Sequence, residues 1–366
     1  VAAQPGPVLL SVPYNVQKEL VDEAVLEQVH LPSSQAADFS LNGPVAKLAE
    51  LIDAARCPVI IAGYGCIKAG ARDAIAQLSV SLGIPVATSL KGKGVVAEGS
   101  ELSLGCLGVT SSGDAREYIV QHADLVIFLG AGFNERTSYL WDDHLLDGKR
   151  IVQVDRDAAQ LGRVFRPDVA IQGDIRPVLE DLLDRLQQRP GIRKSLAELA
   201  EHRRRRGDAG PATPRPAETD QPSQFHLIEA FYRELARHFP RDAIVFDDNI
   251  VFAQSYFDVS DGNHYFPNSG ISSLGHAIPA AIGARLYAID SPVFAVLGDG
   301  GFQMCCMEIM TAVNYGIALN VVVINNATMG LIRKNQYQLY GERYIDCDFV
   351  NPDFAALARA FGINHY

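Results

Sequence analysis

The stretch from Val293 to Asn326 constrains the fold more than any other part of the chain. Val293-Phe294-Ala295-Val296-Leu297 is a short apolar run, the signature of a buried strand. Gly298-Asp299-Gly300-Gly301 follows as a glycine turn, and Phe302-Gln303-Met304 opens a helical stretch to about Tyr315. Asn320-Val321-Val322-Val323-Ile324 reads as a second buried strand, ending at Asn325-Asn326. Strand, Gly-rich turn, helix and strand make a right-handed parallel βαβ unit. Asp299 and Asn326 then stand at the carboxyl ends of its two strands, where open α/β sheets bind ligands.

Those residue types suit one kind of chemistry. Asp299 offers a carboxylate and Asn326 a side-chain carbonyl, and two hard oxygens beside a helix start suit Mg²⁺. The N–H groups of Gly300, Gly301 and Phe302 would point to the same place and favour an anion. A metal beside an anion cradle indicates a diphosphate-bearing cofactor. The plainer alternative is a glycine turn capped by an aspartate on an ordinary crossover. The Asn pair at this spacing, after its own apolar strand, favours the cofactor.

The segment Asp299 to Asn326 resembles the thiamine diphosphate (ThDP) motif, and Gly298–Tyr340 resembles the acetolactate synthase group within the acetolactate synthase and pyruvate decarboxylase superfamily. The resemblance continues through Tyr340-Gly341-Glu342-Arg343-Tyr344 and Asn351-Pro352-Asp353-Phe354. It implies that Mg²⁺ is held by Asp299, Asn326 and the backbone carbonyl of Thr328. Upstream, Ser269-Gly270-Ile271-Ser272-Ser273-Leu274-Gly275-His276 leads into Pro279-Ala280-Ala281-Ile282-Gly283-Ala284, similar to a Gly-rich segment of the family. There the resemblance makes Leu274 the wedge between the two cofactor rings and the Ser272 carbonyl an acceptor for the cofactor's amino group. An ordinary core leucine is the alternative for Leu274. Asn249, in the Asp247-Asp248-Asn249 turn, is a candidate to touch the diphosphate, with a plain turn cap as the alternative. Gly298, Gly300 and Gly301 complete the cofactor-binding set.

The fold class expected is α/β, with two doubly wound parallel-sheet domains. Residues 1–40 read as the end of a pyrimidine-binding domain, with a strand over Pro7–Pro13 and a connection. Residues 41–190 form a Rossmann-like middle domain. Its strands are expected at Pro58–Gly63, Ile84–Thr88, Asp124–Gly130 and Arg150–Asp155, with a helix over Ala69–Leu82. Residues 191–221 are a linker, with Arg203–Arg206 ahead of a Pro- and Gly-rich stretch. That Arg cluster reads as a solvated helix end or a phosphate contact. Residues 222–366 are the diphosphate-binding domain.

In the family, a glutamate of the pyrimidine-binding domain drives proton transfer on the cofactor. This chain has no match to the segment carrying it, so the expectation is no catalytic residue here, and Mg-diphosphate binding without turnover by these residues alone. FAD, carried by some relatives in the middle domain, is weakly supported. Gly63-Tyr64-Gly65 with Gly70 is not a dinucleotide fingerprint, and Gly132 replaces an arginine of the family's turn. Asp155 and Asp157 suit helix capping or a ribose contact. A third class, a Rossmann dehydrogenase, lacks its glycine fingerprint, and absence of NAD binding would discard it.

The expected activity is decarboxylation of a small 2-oxo acid with carboligation to a second carbonyl. Leu331 and Asn335, in Gly330-Leu331-Ile332-Arg333-Lys334-Asn335-Gln336, are candidates to line the substrate, with a surface helix as the alternative. Asn335 replaces a tryptophan of acetolactate synthases. Two alternatives therefore stand: another ThDP lyase or acyltransferase, like sulfoacetaldehyde acetyltransferase or glyoxylate carboligase, or a non-catalytic cofactor-binding fragment. The net charge of −11 argues against nucleic acid, and no run of about 18 apolar residues suggests a membrane span. The start, Val1–Pro7, lacks a basic leader, and six cysteines without a CxxC pair read as reduced thiols. A cytoplasmic homodimer or homotetramer is expected.

Overall fold

The computed structural model describes residues 11–13, 15–20, 22, 42–187, 196–205, 226–239, 242–260, 262–269 and 272–366. Residues 1–40 and 41–366 form separate units. Within the first, Ser11–Pro13 are not strand, and the rest of the strand expected at Pro7–Pro13 lies outside the described residues. So do Arg206, the Pro- and Gly-rich stretch after it, Gly270 and Ile271.

The second unit holds two parallel sheets, as expected of an α/β chain. The first contains β1 (Pro58–Ala62), β2 (Val86–Ser89), β3 (Ser103–Leu107), β4 (Leu125–Leu129), β5 (Arg150–Asp155) and β6 (Val169–Gln172). Their order is β3-β2-β1-β4-β5-β6, the doubly wound arrangement. β1 shows why its sequence is unbroken apolar. Ile60 and Ala62 pack into one core with Val45, Leu48 and Leu179. Val59 and Ile61 pack into another with Tyr118 and Phe128. A strand covered on both faces has no polar side to alternate with.

The helices of this half are α1 (Asn42–Ala54), α2 (Tyr64–Lys68), α3 (Arg72–Leu82), α4 (Asp114–Gln121), α5 (Ile175–Gln187) and α6 (Leu196–Arg205). The helix expected over Ala69–Leu82 is split from the glycine turn before it. Gly70 takes φ +58, which ends α2 and lets α3 start afresh at Arg72. The turns after β1 and β4 press together at the point where the strand order reverses. A Cβ on Gly63 would lie 2.2 Å from both the carbonyl oxygen of Gly130 and the Cα of Ala131.

The second sheet contains β7 (Ile244–Asp247), β8 (His264–Pro267), β9 (Val293–Gly298) and β10 (Asn320–Ile324), in the order β10-β9-β7-β8. Its helices are α7 (His226–His238), α8 (Val251–Tyr256), α9 (Ala277–Tyr287), α10 (Asp299–Cys305), α11 (Ile309–Asn314), α12 (Gly330–Leu339) and α13 (Phe354–Phe361). β9 and β10 run parallel, with Ile324 beside Gly298. Two expectations need correction. The helix after the glycine turn starts at Asp299 itself, breaks into a 3-10 turn at Cys306–Glu308 where Cys305 leaves helical φ, then resumes as α11. β10 is half-buried rather than buried, because it lies at the edge of the described sheet. All six cysteines are free thiols, as read from the sequence.

Gly63→Ala is expected to destabilise the first sheet by at least about 1–3 kcal/mol, since the new methyl meets backbone that cannot swing aside. Urea unfolding of the variant checks this; an unchanged midpoint would mean the two turns separate easily.

Candidate functional site

Neighbouring strands β7 and β9 lead in opposite directions along the second sheet, so the crevice at the carboxyl ends lies between them. β7 delivers Asp247-Asp248-Asn249 to that crevice, and β9 delivers Gly298-Asp299. β10 brings Asn325-Asn326 alongside.

Asp299 is 1% exposed. A carboxylate buried that far needs donors, and the chain supplies them from three segments. Oδ2 accepts from the backbone N–H of Asn326 at 3.0 Å and of Ala327 at 2.5 Å, and from Asn351 Nδ2 at 2.7 Å. Oδ1 accepts from the Gly300 N–H at 2.9 Å. The Gly300 N–H is therefore committed to Asp299 and does not belong to the expected anion cradle. Asp299 and Asn326 are brought together, and Asn326 is solvent-exposed, its Oδ1 accepting from the Thr328 N–H at 3.3 Å. The Thr328 hydroxyl donates to the Cys347 carbonyl at 2.9 Å, and the Met329 N–H to the same oxygen at 2.7 Å. The turn after β10 is thus lashed to residues 347–349.

A second buried carboxylate organises the other wall. Asp248 accepts from the N–H groups of Gly275 at 2.8 Å and His276 at 3.0 Å, and from Asn268 Nδ2 at 3.2 Å. A Cβ on Gly301 would stand 2.5 Å from Asp248 Oδ2, and one on Gly300 would stand 2.3 Å from Met329 Sδ. Side chains of Met329 and Asp248 thus pack against the two glycines of α10. Gly298 is extended and caps that helix.

Asn249 sits at φ +66, Ser272 at φ +58 and Ala327 at φ +54. Left-handed backbone at non-glycine residues must be enforced by the surroundings, and it occurs away from this crevice too, at Tyr139, Leu140 and Trp141. Asn249 Oδ1 is buried with no partner among the described residues, a vacancy that a ligand's donor or cation would fill. Leu274 is half-buried, directly after the stretch that holds Ser272. On α12, Leu331 is half-buried and Asn335 exposed, one turn apart on one face. Arg333 pairs with Asp348 at 2.9 Å and lies 3.9 Å from the centre of the Tyr344 ring.

Three residues here carry geometry that the sequence reading did not assign. Asp248 lies beside the chosen Asn249 and makes the tertiary contacts. Asn351 bridges Asp299 and Asn325, the latter at 2.8 Å. Asp247 is fully buried, receiving the Tyr265 hydroxyl and, at 2.7 Å, the Ile250 N–H. The Asp-Asp-Asn string signalled a turn, but not which oxygen would face which donor. A cavity of about 1050 Å³ lies elsewhere, lined by Arg72, Val86, Leu102, Leu199 and Arg203 among others.

Two parallel-sheet α/β halves, with buried aspartates gripping turns at a switch point, define an α/β protein with a ligand crevice at the carboxyl ends of its strands. Comparison gives the family. The thiamine pyrophosphate enzyme central domain matches residues 45–182, and the C-terminal TPP binding domain of the same enzymes matches residues 248–366. The chain belongs to the thiamine pyrophosphate enzymes. It is 30% identical to the acetolactate synthase large subunit of Porphyra purpurea, over 99% of this chain and 61% of that one. It is 32% identical to that of Parasynechococcus marenigrum (99% and 58%). With that of Lactococcus lactis subsp. lactis the identity is 30% (99% and 62%). The chain thus spans about three fifths of the length of the curated relatives it matches.

Burial, ahead of every other cause, pushes the Asp247 carboxyl up to about 7, against about 3.9 for an unfolded chain. The folded form holds the proton more tightly, so this stability is present at low pH and is lost as pH rises from about 4 through about 7. Asp247→Asn keeps an acceptor for the Ile250 N–H and is expected to flatten that fall. Urea midpoints of parent and variant at about pH 5 and about pH 8 test it; parallel slopes would show that Asp247 is not the source.

Proposed function

We propose that this protein contributes to ThDP- and Mg²⁺-dependent decarboxylation of a small 2-oxo acid, with carboligation to a second carbonyl. The observation that carries the reading is the grip of Asp299 on Asn326 and Ala327, in a segment that matches a TPP binding domain. The donor set fits the metal. Asp299 Oδ2 is occupied by three N–H donors, whereas Oδ1 receives one, leaving it the better placed oxygen for a hard cation. Asn326 and Thr328 would complete the protein ligands. The unpartnered Oδ1 of Asn249 fits a cofactor lodged between β7 and β9.

When bound, ThDP supplies a ring carbon that becomes nucleophilic on losing its proton and a ring that accepts the electron pair left as CO₂ departs. This chain's residues bind and orient. Gly300 and Gly301 let the helix start lie close to Met329 and Asp248. Ser272 and Leu274 would hold and orient the cofactor's ring system. Leu331 and Asn335, on α12, would meet the substrate's far end. An exposed Asn335, where acetolactate synthases carry tryptophan, also favours a second reading: another ThDP lyase or acyltransferase.

The proton-relaying glutamate would come from a pyrimidine-binding domain, so turnover is proposed for an assembly that includes one. A homodimer or homotetramer is supported by exposed apolar side chains on the second half, among them Met304, Met307, Tyr315, Ile345 and Val350. No helix of the described residues is long and apolar enough to cross a membrane. The closed approach of Gly63 to Gly130 gives no support to a flavin at that turn.

Asp299→Ala is expected to weaken ThDP binding in the presence of Mg²⁺ by at least about a hundredfold, because it removes a ligand oxygen and frees two turns. Calorimetric titration reads this, and an unchanged affinity would remove the assignment. Pyruvate, glyoxylate and sulfoacetaldehyde, assayed separately with the full-length protein, ThDP and Mg²⁺, would then identify the donor through the CO₂ and product each yields.

A further inference from the structure

Outside the proposed cofactor crevice, two opposite charges are sealed in the interior. Lys93 and Glu98 each keep 3% of their side chain exposed, with Lys93 Nζ 2.7 Å from one carboxylate oxygen and 2.8 Å from the other. Such a pair is costly to bury, and removal of one partner leaves an uncompensated charge. It therefore calls for a structural consequence beyond its own contact.

That consequence lies on the other sheet. Glu98 Oε2 accepts from the Val259 N–H at 2.9 Å, and the Glu98 N–H donates to the Val259 carbonyl at 3.0 Å. Gly94, at φ +84, lies over the same residue, since a Cβ there would fall 2.7 Å from Val259 Cγ1. Val259 is fully buried. The loop of residues 93–98, anchored on the first sheet, thus clasps Val259 by backbone, side chain and packing together.

Val259 closes the short segment that begins at the Asp247-Asp248-Asn249 turn. Between them runs α8, six residues and so about 9 Å long. α8 is tied to the first sheet again: the Thr110 hydroxyl donates to Gln254 Oε1, and the Ser255 hydroxyl donates to the Thr110 carbonyl. Its near end is fixed by the Ile250 N–H on Asp247. A helix held at both ends has no freedom to carry the turn away from Gly275, His276 and Gly301.

We propose that Lys93 and Glu98 are positioning residues for the cofactor turn: their buried pair anchors Val259, and Val259 through α8 holds Asp248 and Asn249 in place. Only the identity of the ligand rests on the ThDP reading; the mechanical link does not. Lys93→Met leaves Glu98 buried and unpaired, whereas Lys93→Met with Glu98→Gln removes both charges and keeps an acceptor for Val259.

Native-state amide hydrogen exchange on the full chain, with ThDP titration in Mg²⁺, tests the link. Lys93→Met should speed exchange about tenfold or more at Val259 and also at Ile250, Gly275 and His276, with Ile60 and Ile127 unchanged. ThDP affinity should fall with it, and the double variant should restore both. Faster exchange confined to Val259 and residues 93–98, or spread equally to Ile127, would overturn the proposal. If Lys93→Met does not fold, Thr110→Val loosens α8 without touching a buried charge and should speed Ile250, Gly275 and His276; no change there overturns it equally. If the parent chain binds no ThDP while Lys93→Met still shows the exchange pattern, the cofactor reading falls and the link stands.

Discussion

A carboxylate withdrawn from water must be met by donors, and this requirement shapes the crevice. Asp299 and Asp248, each 1% exposed, have no arginine or lysine among the hydrogen-bond partners found for them. They are satisfied by backbone N–H groups and asparagine amides drawn from distant parts of the chain. Because those donors lie on separate turns, each carboxylate welds its turns into one arrangement. Glycine at 301 follows from the same requirement, since a Cβ there would press on the Asp248 carboxylate, while one at 300 would meet Met329.

The two halves of the chain depend on each other through that arrangement. β7 and β9 open the crevice, but the segment leaving β7 is not held by its own sheet alone. It returns through α8 to Val259, beneath a loop of the first sheet. The first half therefore has a physical task, to hold one wall of the crevice.

Much of this was legible in the sequence. Apolar runs ending at glycine placed β1, β4 and β9, apolar runs ending at polar residues placed β5 and β10, and the spacing of Asp299 and Asn326 placed both at strand ends. Those signals are local, and in the central strands β1 and β4 burial on both faces makes them loud. What escaped was tertiary. Whether Asp248 or Asn249 turned inward depended on which donors lay opposite, and those come from residues 268–276. Asn351 looked like part of a familiar string, yet its role is set by Asp299 and Asn325. The edge position of β10 could not be read from five apolar residues, because pattern reports what a strand can bury and not what its neighbours cover. Lys93 and Glu98 gave no sign at all: a lysine five residues from a glutamate is ordinarily surface.

Asn249, Ser272 and Ala327 share a feature with a consequence of its own. A left-handed conformation costs an L-residue with a Cβ roughly 1–2 kcal/mol, and here three such residues surround one crevice. Selection for heat tolerance alone would find its easiest gains by placing glycine at Ser272 or Ala327, relieving that tension at once. The same replacements would widen what the crevice samples, so robustness and readiness to receive a ligand pull this chain in opposite directions.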